Sequence, residues 1–327
     1  MTTTSTLLSR RYRMDRNFHS RPFQKQLGLQ EQTWKGSGLR AKMENQNPVV
    51  AGGGMTMPKI KLYHDNFQNF KRYGIPKAQL VIADIPYNLG VNAYASNPMW
   101  YIDGDNKNGE SKNAAQPFFH TDVDFRIAEY MHFCNRLLKK EPKQKGQAPA
   151  MIVFCAFDQD QMVIDYAKRY GFMHHYPIFF CKNYSAQVLK ANMKIVGATE
   201  HALVLYRDKL PKFRNGCQFD DAGKPVRGTG KMVFDWFSWE CDSSKEYPKI
   251  HPTQKPVGVL KRLIEVFTDP GDVVIDPVAG SASTLRAAYE IGRSAYGFEV
   301  DKNFYALAQG KMISPLFENP EFEQLVL

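Results

Sequence analysis

Hydrophobic positions along this chain fall into two spacings. Short unbroken apolar runs at 79–83, 150–157, 176–181 and 201–206 have the length of strands buried on both faces. Residues 59–63 (Lys-Ile-Lys-Leu-Tyr) alternate with period two and predict a further strand that ends at His64-Asp65-Asn66. Other segments repeat at helical spacing: Ile127, Met131, Cys134 and Leu138 within 125–138, then 161–170. Val257, Leu260, Leu263, Ile264 and Phe267 share one helical face, behind Pro256 at a first helical position. A strand at 273–275, a helix at 282–291 and a strand at 295–298 complete the series. Strand, turn, helix and strand in that order predict an α/β fold with a doubly wound, mostly parallel sheet.

The pattern also divides the chain. Residues 1–57 show little periodicity, carry a Gly52-Gly53-Gly54 break, and are expected to be a flexible N-terminal extension. Their acid-poor start, with Leu7, Leu8, Arg10, Arg11 and Arg13, resembles a transit peptide faintly. The plainer expectation is a tail ahead of a folded region that begins near Met55 or Met57. Residues 88–116 are polar and asparagine-rich, too long for a routine connector, and predict a mobile functional loop.

Composition narrows the class. The 327 residues suffice for one large or two modest domains, and 43% hydrophobic content is ordinary for a globular chain. The longest apolar stretch, 148–157, is too short to span a bilayer, so no membrane partner is expected. The five cysteines form no CxxC pair, which suggests reduced thiols in the cytoplasm and no metal site. The net charge of +10 is uneven: residues 1–58 hold nine Lys/Arg against three Asp/Glu, and residues 182–231 hold ten against four. The second cluster suits a surface that tracks phosphates, although a solvated lysine-rich face would look the same.

Two strings suggest chemistry. Asp276-Pro277-Val278-Ala279-Gly280-Ser281 sits where a strand gives way to a helix, the place where open α/β sheets bind ligands. Gly280 permits close backbone approach, and Glu299, 19 residues later at the end of the next strand, suits ribose hydroxyls. The other string, Asp84-Ile85-Pro86-Tyr87, follows a buried strand. An exocyclic amino group is a poor nucleophile because its lone pair is delocalised into the ring. Acceptors for its two N–H groups, the Asp84 carboxylate and the Ile85 carbonyl, would localise that pair. Pro86 fixes the local backbone, and Tyr87 offers a face on which a flipped base can stack.

With His251-Pro252-Thr253-Gln254-Lys255-Pro256 between these strings, the chain resembles a β-class amino-group DNA methyltransferase of the phage and bacterial type. In that family D-P-P-Y precedes H-P-T-Q-K-P and then D-P-F-x-G-S-G-T-T, and the resemblance spans about residues 58–312. Ile85 stands where the family has proline, and Val278 and Ala282 where it has phenylalanine and glycine. The resemblance implies a Rossmann-like fold, S-adenosylmethionine as cofactor, double-stranded DNA as partner and no metal. It implies that Asp276, Pro277, Gly280, Ser281 and Thr284 form the cofactor turn, with Glu299 on the ribose. Thr253 and Lys255 would approach the methionine carboxylate, and Asp65 the adenine of the cofactor.

An aspartate at position 84, where N4-cytosine members usually carry serine, favours N6 of adenine. N4-cytosine methylation, RNA adenine methylation and a catalytically inactive nucleic-acid binder stay open as alternatives. The implied layout is a catalytic half at 58–206, a small target-recognition insert at 207–250 and a cofactor half at 251–327. In the insert, Lys209, Lys212, Arg214, Lys224, Arg227 and Lys231 interleave with Phe213, Phe219, Phe234, Trp236 and Trp239 and are the candidate DNA contacts. The resemblance also admits a homodimer and a restriction–modification or phage setting.

Overall fold

The computed structural model describes residues 57–86, 125–183, 187–190, 195–218, 220–222 and 224–318. These lie within one compact unit, Met55–Leu327. The extension at 1–57 (except Met57), the loop at 88–116, Tyr87 and Phe219 lie outside the described residues.

Ten strands are described: β1 (Ile60–His64), β2 (Leu80–Asp84), β3 (Ala150–Phe154), β4 (His174–Lys182), β5 (Gln187–Lys190), β6 (Ile195–Gly197), β7 (Thr199–Tyr206), β8 (Trp236–Trp239), β9 (Val273–Asp276) and β10 (Ser294–Glu299). The helices are α1 (Ile127–Leu137), α2 (Asp160–Arg169), α3 (Val257–Phe267), α4 (Ser283–Glu290), α5 (Lys302–Ala308) and α6 (Pro315–Glu318). Eight strands form one sheet in the order β1-β10-β9-β2-β3-β7-β4-β8, and β5 and β6 pair separately. β7 runs antiparallel to both of its neighbours, and the other pairings in the large sheet are parallel.

The unbroken apolar runs are explained by two cores. Leu80, Ile82, Ala150, Ile152 and Phe154 face one core, with α3 and α4. Their neighbours Val81, Ala83, Met151 and Val153 face the other, with α1 and α2. Successive side chains leave a strand on opposite faces, so a sheet covered on both sides must be apolar at every position. Each such buried Leu, Ile or Val contributes roughly 1.5–3 kcal/mol. The sheet and α4 approach closely at Gly297, where a Cβ would lie 2.7 Å from Leu285 Cδ1 and 3.1 Å from Ala279 Cβ.

Two features differ from the sequence pattern. The run at 150–157 leaves the sheet after Phe154, and 157–159 turns as a short 3₁₀ segment into α2. Residues 236–239, inside the expected recognition insert, pair with β4 as the edge strand β8. Among the described residues, no helix is long and apolar enough to cross a membrane.

Candidate active site

Four adjacent parallel strands carry an acid at or just past their carboxyl ends: Asp65 after β1, Glu299 on β10, Asp276 on β9 and Asp84 on β2. Register aligns them, His64 lying opposite Glu299 and Gly297 opposite Asp276. The carboxyl edge of an open α/β sheet is where ligands bind. Here that edge is acidic and poorly solvated. Burial pushes the Asp276 carboxyl up to about 7, with Asp84 and Glu299 adding to the rise. Burial also pushes Glu299 up to about 7. Asp84 is raised by burial, against the opposing pull of Lys255.

Asp65 behaves differently. Its carboxylate accepts from Tyr73 Oη at 2.5 Å, Asn69 Nδ2 at 2.7 Å and the Asn66 N–H at 2.7 Å. The Tyr73 and Asn69 bonds hold it below the usual carboxylate range. Asp65 thus stands at the expected edge, with both of its oxygens engaged by its own loop.

The turn after β9 is bound to that edge. Glu299 Oε2 accepts the Gly280 N–H at 2.8 Å, and Oε1 accepts the Asp301 N–H at 2.7 Å. Asp276 Oδ1 accepts the Val278 N–H at 3.1 Å, and Thr284 hydrogen-bonds the same carboxyl. Ser281 and Ser283 hydroxyls pair at 2.7 Å, and Pro277 is buried beneath. Gly280 has φ +50°, a region that costs a side chain about 1–2 kcal/mol. Ala282, in the position where the family has glycine, takes φ 60° nonetheless and is fully buried.

The segment from His251 to Pro256 packs onto this turn. The His251 ring lies 3.6 Å from where a Gly280 Cβ would stand and 4.3 Å, centroid to centroid, from Phe304. Burial, then Lys255, lowers His251 to about 4, so it is neutral at pH 7. Thr253 Oγ1, exposed, pairs with His251 Nδ1 at 3.1 Å. Gln254 braces the loop, accepting the Ile250 N–H at 3.0 Å and donating to the Pro248 carbonyl at 3.2 Å. Asp242 caps α3 from a distance, accepting from the N–H groups of Val257 (2.6 Å) and Gly258 (3.2 Å).

So braced, Lys255 reaches across the sheet edge. Its ammonium donates to Asp84 Oδ2 at 2.7 Å and lies 3.2 Å from Glu200 Oε2. Lys182 Nζ sits 2.5 Å from Glu200 Oε1 and over the Trp239 ring at 4.9 Å. The structure therefore brings Asp84 and Lys255 together, whereas the sequence motif directs Lys255 toward the cofactor alone. On the catalytic turn, the Ile85 N–H donates to the Phe154 carbonyl at 3.1 Å. The Pro86 carbonyl accepts from Gln159 Nε2 at 3.1 Å, and Gln159 Oε1 is itself held by the Ala156 N–H.

Glu200, Lys182 and Gln159 were missed by sequence reasoning, and Trp239, expected among the DNA-facing aromatics, lies here instead. The one available signal was a polar pair, Glu200-His201, opening an otherwise apolar strand. A second grouping was also missed. Cys155, Asp160 and His201 gather with donor atoms within 4.8 Å, Cys155 donating to Asp160 at 3.1 Å and His201 Nε2 lying 2.8 Å from it. These three satisfy one another.

The six candidate DNA contacts of 207–250 divide in two. Lys212 is buried, 2.6 Å from Asp272 and 2.8 Å from Asp269, and Arg214 pairs with Asp269 at 2.5 Å. Lys209 donates to the Pro142 carbonyl at 2.7 Å. These three fasten the segment to the core. Lys224, Arg227 and Lys231 are exposed, as are Phe234 and Trp236, whose rings stack at 5.9 Å.

Residues 78–310 match the model of the N6/N4 DNA methylase family. The chain belongs to that family. The match takes in Asp84, the segment His251 to Pro256, the turn after β9 and Glu299. S-adenosylmethionine is the cofactor of this family. Over 264 residues the chain is 26% identical to the DNA adenine methyltransferase YhdJ of Escherichia coli (strain K12), covering 75% of this chain and 80% of that one. Its fold is shared with the M1.HpyAVI–SAM complex (TM-score 0.53, 18% identity, 78% of this chain and 99% of that one). It is shared too with the PvuII cytosine-N4-specific DNA methyltransferase (TM-score 0.54, 15% identity, 83% and 94%).

The site residues fit that cofactor chemically. Asp276, Glu299 and Asp84 crowd negative charge into a poorly solvated edge, and a cationic ligand would relieve it. Gly280 has no side chain of its own, and the neutral His251 ring packs over the place a Cβ would take.

Proposed function

We propose that this protein methylates the exocyclic N6 of adenine in double-stranded DNA, with S-adenosylmethionine as donor. The single observation that carries the reading is Asp84, whose Oδ2 is held by Lys255 while Oδ1 is buried without a hydrogen-bond partner among the described residues. An acceptor oxygen in that state is costly unless a donor arrives, and an amino N–H is such a donor.

In this reading Asp84 Oδ1 accepts one N–H of the target amino group and the Ile85 carbonyl accepts the other. Their pull localises the nitrogen lone pair for attack. Gln159 and the Phe154 carbonyl keep the turn rigid, and Tyr87 stacks on the extruded base. When bound, the cofactor supplies an electrophilic methyl group on a sulfonium. Asp276, Pro277, Gly280, Ser281 and Thr284 would shape its turn, Glu299 would accept from its ribose, Asp65 would adjoin its adenine, and Thr253 and Lys255 would approach its carboxylate. The amino proton released as the N–C bond forms can pass to the Asp84 carboxylate, whose affinity for it burial has raised. No covalent enzyme intermediate is needed, and the rate comes from positioning and electrostatics.

Aspartate rather than serine at position 84 supports adenine over cytosine, as does the likeness to YhdJ. Residues 207–250 are the proposed recognition segment, with Lys224, Arg227 and Lys231 as its outward cations and Lys209, Lys212 and Arg214 anchoring it. The test is product analysis: unmethylated DNA is incubated with protein and S-adenosylmethionine, digested to nucleosides and read by mass spectrometry. N6-methyladenine is expected. N4-methylcytosine would overturn the base, and product on RNA only would overturn the substrate.

A further inference from the structure

β7 runs against its neighbours, so its first residues, not its last, reach the carboxyl edge of the sheet. That brings Glu200 beside the catalytic motif, where it completes a row of alternating charge: Lys182, Glu200, Lys255, Asp84. The spacings are 2.5 Å from Lys182 Nζ to Glu200 Oε1, 3.2 Å from Glu200 Oε2 to Lys255 Nζ, and 2.7 Å from Lys255 Nζ to Asp84 Oδ2. Trp239 and Phe154 wall the row, with Lys255 Nζ 5.1 Å from the Phe154 ring and 5.9 Å from that of Trp239. Burial raises the Glu200 carboxyl, but Lys255 and Lys182 outweigh it and hold it below its usual value, so it is charged.

We propose that Glu200 is a positioning residue: backed by Lys182, it holds the Lys255 ammonium against Asp84, so that Asp84 meets the target amino group ionised and with Oδ1 open. This rests on the reading of Asp84 as the amino-group acceptor. A lysine head on a four-carbon stem loses much rotamer freedom when fixed in one place. One carboxylate contact leaves it able to swing; a second restricts it. Asp84 Oδ1, on the side away from this pairing, has no hydrogen-bond partner among the described residues, so the hold on Oδ2 leaves it open.

Two effects of Glu200 on Asp84 oppose each other, which makes the idea testable. As a bare negative charge, Glu200 makes Asp84 harder to ionise; as the holder of Lys255, it makes Asp84 easier to ionise. Among the described residues, the other groups that act on Asp84 or feel its charge are Lys182 on β4, Asp276 on β9 and Cys155 after β3; none of them is itself substituted, although Lys182 loses its Glu200 partner in Glu200→Gln. The Asp84 carboxyl is titrated by ¹³C NMR in the cofactor-free full chain, assigned by difference from Asp84→Asn, in wild type, Glu200→Gln and Glu200→Asp. Positioning predicts that Glu200→Gln binds the Asp84 proton about tenfold more tightly. Glu200→Asp keeps the charge but shortens the reach, so it should show a smaller change in the same direction. An unchanged or weakened proton affinity in both variants overturns the proposal. If Glu200→Gln does not fold, Glu200→Asp alone decides, since a role through charge alone predicts no tightening in it. The titration needs no turnover, so tightening without any methylated product from wild type would indict the functional reading and leave the positioning role intact.

Discussion

The Lys255 ammonium lies 2.7 Å from Asp84 Oδ2, although the two residues are 171 positions apart. The contact joins the His251–Pro256 segment to the amino-group motif, and it links two jobs in one side chain. Lys255 lowers the proton affinity of Asp84 against the effect of burial, and in the function proposed above it also approaches the cofactor's carboxylate.

Lys255→Gln should therefore damage both. Asp84 would lose the cation that opposes burial, so its carboxyl stays protonated to higher pH and the acid limb of the methylation rate moves upward. Loss of a preorganised charge of this kind is expected to lower kcat about 10²–10³-fold. Single-turnover rates across pH measure it. A Lys255→Gln enzyme with an unshifted limb would separate Lys255 from Asp84.

Cofactor binding should depend on pH near neutrality. Asp276 and Glu299 are raised by burial to about 7 from 3.8 and 4.5. The folded apo protein therefore holds more protons than the unfolded chain between those values. Their contribution to stability is present below about pH 4 and is lost as pH rises to about 7. A cationic ligand prefers both groups ionised. S-adenosylmethionine should bind more tightly as pH rises from about 6 to about 8 and should release protons on binding. Calorimetry in buffers of differing ionisation enthalpy reads this directly; flat affinity with no proton release would contradict the cofactor edge described here.

Gly297→Ala tests the packing beneath the turn. A Cβ there stands 2.7 Å from Leu285 Cδ1 and 3.1 Å from Ala279 Cβ, and Leu285 is itself buried. Overpacking of this kind costs about 1–3 kcal/mol. Denaturant unfolding should show a loss in that range together with weaker cofactor binding, because Ala279 belongs to the turn. Wild-type stability would show that Leu285 has room to move.

The divided basic segment predicts two separate phenotypes. Replacing Lys224, Arg227 and Lys231 with Gln should leave folding intact and weaken DNA binding, with the salt slope falling by about one for each phosphate no longer neutralised. Lys212→Met should instead destabilise the protein by about 3 kcal/mol, because Asp272 loses a buried partner and keeps Lys139. Binding isotherms at several salt concentrations and thermal unfolding separate these. A Lys212→Met protein of normal stability and poor DNA affinity would reverse the assignment.

Residues 257–299 were the most legible part of the sequence. β9, α4 and β10 follow one another within 27 residues (273–299), so local periodicity specifies both the elements and their adjacency. Asp84, Asp276 and Glu299 could be placed because each ends a buried strand. Other features depend on contacts that no local pattern carries. The direction of β7 is set by which neighbours it pairs with, not by its composition, and that direction is what delivers Glu200. β8 was hidden because Trp236-Phe237-Ser238-Trp239 reads equally well as aromatic residues among cations. Lys209, Lys212 and Arg214 looked like phosphate contacts for the same reason: sequence records a charge but not the carboxylate it meets. Gln159 is visible only once the Pro86 carbonyl is in place beside it.

The most direct measurement follows a labelled methyl group from S-adenosylmethionine into DNA, in one turnover, for wild type and Asp84→Ala side by side, with cofactor affinity measured on both. The account predicts label in N6-methyladenine for wild type and none for Asp84→Ala, while cofactor binding is largely retained. Label in N4-methylcytosine, or transfer by Asp84→Ala at near wild-type rate, would contradict it.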